Sequence, residues 1–128
     1  MKKLFVLVLC FGIAGCASTQ SIKKLENQGT KQIFTANYEK VWEAAVNACN
    51  RNNLTIKELD KENGYISADT PYRMESWGEV VGIWIRKIGD SKTQVSVVSR
   101  RVGPALLFKY NWEKPVLESI ENYLKSNE

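Results

Sequence analysis

The chain contains no histidine. That removes the commonest general base and the commonest metal ligand, and no Ser/His/Asp or Cys/His pair can be assembled. Cysteine is scarce: Cys10, Cys16 and Cys49 are the full set of three. Cys10 and Cys16 fall in the N-terminal segment, so Cys49 stands alone in the body of the chain and no intrachain disulfide framework is expected. Glycine forms no phosphate loop, since Gly78 and Gly82 flank strand positions and no Walker or Rossmann spacing occurs. Glu58, Asp60, Glu62 and Asp69 gather near one turn but lack EF-hand spacing, and they read as a solvated turn. No block of Lys and Arg is present, and a net charge of +4 gives no reason to expect nucleic acid as a partner. These absences lead to an expectation of a non-enzyme with no catalytic residues, no metal and no cofactor.

What is present begins at the N-terminus. Met1-Lys2-Lys3 is basic, Leu4 to Ala14 is apolar, and Ile13-Ala14-Gly15-Cys16 follows at its end. An apolar run of eleven residues is too short to span a bilayer, which takes about 20. It reads instead as an export signal. The tetrapeptide resembles the bacterial lipobox. The resemblance implies cleavage before Cys16, lipidation of Cys16 and a palmitate-type anchor in the membrane. The alternatives are an ordinary signal peptide with a coincidental cysteine, or an uncut anchor. Ala17 stands where an inner-membrane retention signal would carry Asp, so the resemblance further implies an outer-membrane lipoprotein whose domain faces the periplasm.

The expected organisation is a signal peptide over 1–15, a lipidated Cys16 with a flexible tether over 16–30, and one domain over 31–128. Without residues 1–15 the net charge of +4 falls to +2, because Lys2 and Lys3 leave with them. Residues 31–36 read as a strand with Ile33 and Phe34 on opposite faces. Asn37 is a candidate helix N-cap. Val41, Trp42, Ala45, Val46, Ala48 and Cys49 then repeat at helical spacing. Residues 54–59 and 65–70 read as strands around an Asp60–Gly64 turn, with Gly64 in a left-handed position. Residues 77–88 and 92–101 read as a hairpin closed at Gly89-Asp90-Ser91. A last helix starts near Asn111, with Trp112, Val116, Ile120 and Leu124 on one face.

The fold class is therefore α+β: two layers, an antiparallel sheet of about four strands and two helices on one face. Val41-Trp42, Leu54-Thr55-Ile56, Asp60 and Gly64-Tyr65-Ile66 resemble the helix-grip domains of BamC-like envelope lipoproteins. That resemblance implies the helix-grip fold and the envelope compartment.

Two candidate surfaces follow. If Ile83, Ile85, Val95 and Val97 face the helices, strand parity turns Val80, Trp84, Arg86, Val98 and Arg100 outward. A Trp flanked by arginines is a typical contact composition, so Trp84, Arg86, Arg100 and Val98 are the expected partner-binding residues. The alternatives are a surface Trp shielded by arginine stems, or a face covered by residues 102–110. The second surface is an apolar groove lined by Leu106, Leu107, Phe108, Tyr110 and Trp112, with ordinary core as the alternative. The expected function is an outer-membrane-anchored, non-catalytic interaction or scaffold module of the cell envelope. Its expected partners are the membrane, through the N-terminal lipid, and an envelope protein. The alternative function is a carrier or sensor of a small apolar or lipid ligand held between the sheet and the C-terminal helix.

Overall fold

A computed structural model describes residues 22–70, 78–101 and 111–127. Cys16 and the groove residues Leu106, Leu107, Phe108 and Tyr110 lie outside the described residues.

A 3-10 helix, Glu26–Gln28, leads into β1 (Thr30–Phe34). Helix α1 (Tyr38–Arg51), β2 (Thr55–Asp60), β3 (Tyr65–Asp69), β4 (Glu79–Gly89), β5 (Lys92–Arg101) and α2 (Glu113–Ser126) follow. All strand pairs are antiparallel and form one five-stranded sheet in the order β1-β5-β4-β3-β2. The expected sheet of about four strands gains its fifth because β1 pairs with β5, joining Thr30 to Val97 and Phe34 to Thr93.

Local chemistry sets the boundaries. Asn37 caps α1 as expected, its Oδ1 accepting from the Lys40 N–H at 2.9 Å. Asn53, in the left-handed region at φ 60°, ends the turn after α1. Gly64 closes the β2–β3 turn at φ 67°, and a Cβ there would lie 2.2 Å from the Ile85 carbonyl oxygen. That carbonyl region is close because the Ile85 N–H donates to Gly64 O at 2.8 Å. The Tyr38 hydroxyl donates to Lys61 O at 2.6 Å, tying the start of α1 to the same turn. Glu113 anchors the start of α2: its Oε1 accepts from the Thr30 hydroxyl at 2.6 Å and its Oε2 from the Ser99 N–H at 3.2 Å. Asn111 accepts from the Glu113 N–H at 2.8 Å, so it supports the helix start while Trp112 holds the cap position.

Both helices lie on one face of the sheet, and one core fills the space between them. Val41, Trp42, Ala45 and Cys49 of α1 meet Val116, Leu117 and Ile120 of α2 over Ile66, Val81, Ile83, Ile85, Val95 and Val97. Trp112 belongs to this core and donates its indole N–H to Glu79 Oε1 at 3.3 Å. The groove expected at Trp112 is thus ordinary core at that residue, because the indole finds its polar partner inside.

The hairpin parity holds for an instructive reason. Ile83 opposes Val97 and Ile85 opposes Val95, as expected. The closing turn, however, is tighter than the three residues read from the sequence, since Gly89 pairs with Lys92. A register shift between Lys87 and Gly89 inserts one extra residue, Ile88, on β4. That bulge restores odd-to-odd pairing along the rest of the hairpin.

Candidate functional site

The sheet face opposite the helices is where the sequence places its partner surface. Even-numbered β4 residues point there: Val80, Gly82, Trp84 and Arg86, opposite Arg100, Val98, Ser96 and Gln94 of β5. Tyr65, Ser67 and Asp69 of β3 continue the same rows. The orientation is as expected, but the exposure is not. Trp84 is only 3% exposed and Val98 4%, whereas Arg86 and Arg100 remain exposed. The Trp84 side chain is therefore a buried residue of a second cluster, formed with Ile22, Tyr65, Val80 and Val98 and flanked by Leu25.

The cover is residues 22–29, part of the stretch expected to be a flexible tether. Ile22 is 1% exposed. Its seat exists because Gly82 has no side chain: a Cβ there would lie 2.6 Å from the Trp84 ring and 3.1 Å from Ile22. The indole folds over the bare Gly82 backbone, and Ile22 packs into the same space. Tyr65 completes the floor, its ring centroid 5.3 Å from that of Trp84 at an interplanar angle of 43°. The Leu25 N–H donates to Ile22 O at 3.0 Å and the Gln28 N–H to Leu25 O at 2.9 Å, so the strap is wound and not extended. At its far end Gly29 passes so close to β5 that a Cβ would meet Val97 O at 2.0 Å.

Charged residues fasten the strap at its margins. Glu26 Oε2 accepts from Arg86 Nη2 at 2.5 Å and from Nε at 2.7 Å. Lys23 Nζ lies 3.6 Å from Glu58 Oε2 and 5.1 Å from the Tyr65 ring centroid. These pairs are partly to well exposed and screened by solvent, so each contributes about 0–1 kcal/mol. Burial of Ile22 contributes more, about 1.5–3 kcal/mol. The strap is thus held by a few kcal/mol, most of it from one aliphatic side chain.

Two polar clefts open among the described residues. One, of about 320 Å³, lies beside the strap against Lys23, Glu26, Asp60, Asn63 and Arg86. Within it Asp60 accepts from the Asn63 side-chain amide at 2.9 Å and its backbone N–H at 3.2 Å. Those bonds hold its carboxyl below the ordinary carboxylate value. The other cleft, about 430 Å³, lies between the helices against Asn47, Arg51, Asn122, Tyr123, Ser126 and Asn127. Asn47 Oδ1 is buried there without a partner among the described residues.

Cys49 is buried in the core, and burial pushes its thiol up to about 12, so it stays protonated. Among the described residues no three His, Cys, Asp or Glu side chains come together to hold a metal ion. Among the same residues no helix is long and apolar enough to cross a membrane.

Strand parity revealed the face but not its cover. The missed signal is Ile22-x-x-Leu25, one turn of apolar spacing in an otherwise polar stretch. No protein-family model and no curated protein matches this sequence.

Proposed function

We propose that the chain is a lipid-anchored, non-catalytic interaction module of the bacterial envelope, held at the outer membrane through Cys16 with its domain in the periplasm. One observation carries this reading beyond the lipobox. The residues that follow Cys16 most closely in the described chain are packed onto the sheet face bearing Trp84, Arg86 and Arg100. A strap bearing on such a face joins an anchor firmly to a folded domain, as a scaffold requires and as a loose tether does not. The partner in this reading is an envelope protein.

Mass spectrometry of protein recovered from membranes tests the anchor. Acyl chains on an N-terminal Cys16 are expected, with fractionation into outer membranes, and Cys16→Ser should leave an uncleaved or misplaced precursor. Normal processing and membrane fractionation of that variant would refute the lipoprotein reading. Crosslinking in intact cells, followed by identification of the attached chain, tests the scaffold role. Recovery of no envelope protein above the background of the Cys16→Ser variant would refute it.

A further inference from the structure

We infer that the strap fixes which side of the domain faces the lipid surface: the sheet face bearing Trp84 is turned toward the bilayer, and the two helices are turned away. This rests on Cys16 being the anchor, and adds to that reading an orientation. The argument is one of reach. Six residue steps separate Cys16 from Ile22, so whatever their conformation they span at most about 21 Å. Ile22 is seated over Gly82 on β4, the middle strand of the five. To reach the helical side, the chain would first cross two strand spacings, about 10 Å, to an edge. It would then descend past the strap, sheet and helix layers, at least another 15–20 Å or so. The available length does not cover that path. Cys16 therefore stays on the strap side or at its rim, and a bilayer holding its acyl chains meets that side first.

Exposed charge does not separate the two sides, since Lys24 and Arg100 are exposed on the strap side and Lys40, Lys114 and Lys125 on the helices, so the placement rests on reach. The polar cleft between the helices, with Arg51 and Asn47, is left open to the aqueous compartment.

The test is paramagnetic relaxation in nanodiscs containing phosphatidylglycerol and a gadolinium-chelating lipid, using the processed protein recovered from membranes. Amides of Lys24 and Gln94 should relax more strongly than those of Glu118 and Lys125, roughly tenfold for one extra layer of about 10 Å. Equal relaxation on both sides, or stronger relaxation on α2, overturns the proposal. A second variant, Ile22→Asp, should release the strap and lengthen the spacer to nearly 50 Å, measured to Thr30. The contrast between faces should then collapse while the sheet amides keep their dispersion. A persisting contrast with the Trp84 indole N–H open to solvent exchange also overturns it. If mass spectrometry finds no acyl chain on Cys16, the anchor reading fails by itself. The orientation is then read from the full-length Cys10→Ser chain coupled through Cys16 to a maleimide lipid, with the same two outcomes.

Discussion

Replacing Trp84 with alanine separates a buried from an exposed indole by a wide margin. The side chain is 3% exposed, packs at a tilt against the Tyr65 ring and lies over the Gly82 backbone beneath Ile22. Removing a buried Trp costs about 3–5 kcal/mol through lost burial and the cavity left behind. A surface Trp would cost within about 0.5 kcal/mol. Ile22→Ala perturbs the same cluster but has a ceiling. The sheet, the helices and the main core do not include Ile22, so the strap can let go without global unfolding. Its cost is capped by the docking energy, about 1.5–3 kcal/mol for the side chain. Because the two residues touch through one seat, the double variant should cost less than the sum, with a coupling of about 0.5–3 kcal/mol. Urea unfolding followed by far-ultraviolet circular dichroism, at constant m-value, measures all four corners of the cycle. A Trp84→Ala midpoint indistinguishable from the parent would refute the burial. Strict additivity would refute the shared seat.

Three other outcomes follow from the described geometry. Cys49, at about 12 in place of the ordinary 9.0, should carry a thiolate fraction about a thousandfold lower at pH 8 than a free cysteine. Labelling by a maleimide at the free-cysteine rate in the folded protein would contradict this. Because that folded value is raised, the contribution of the neutral thiol to stability is present below the ordinary value and is lost as pH rises from there toward 12. For Asp60 the sign is opposite: its carboxyl is held low by Asn63, so support for the β2–β3 turn is present above the ordinary carboxylate range and fades as pH falls through the lowered value. Carbon-detected titration of Asp60 should therefore show a low midpoint that rises in Asn63→Ala, and an unmoved midpoint would exclude the hydrogen bonds as its cause. Gly64→Ala should destabilise by more than about 1 kcal/mol, because φ is 67° and a Cβ would meet Ile85 O at 2.2 Å. A neutral thermal melt would show that the turn can relax.

Much of the fold was legible because local signals and burial agreed. The cap at Asn37, the helical spacing from Val41 to Cys49 and the glycine at 64 each carry a local reason independent of the rest. The inward set Ile83, Ile85, Val95 and Val97 was legible from parity alone. The exact turn was not, since a bulge at Ile88 and a shorter loop give the same alternation as a longer loop with no bulge. The site was half legible. Parity placed Trp84, Val98, Arg86 and Arg100 together, yet says nothing of what lies above them. Ile22 and Leu25 form too short a pattern to register as an element, and Gly82, on which Ile22 sits, is 60 residues further along the chain. An outward face carrying Tyr65, Val80, Trp84 and Val98 was itself a sign that something must cover it.

The strand order has a consequence for how the molecule comes together. β2, β3, β4 and β5 follow one another as neighbours, each able to pair as soon as the next is made. β1 has no neighbour in that sequence. Its native partner is β5, with Thr30 set against Val97 across most of the domain. A chain emerging N-terminus first therefore carries β1 idle until residues 92–101 arrive, and the loop closed at that moment is the longest in the sheet. The seat of Ile22 likewise lacks its floor until Gly82 and Trp84 are in place. The strand nearest Cys16 is thus the last part of the sheet to be secured, and until then the meander bears an open apolar face beside an unpaired β5 edge.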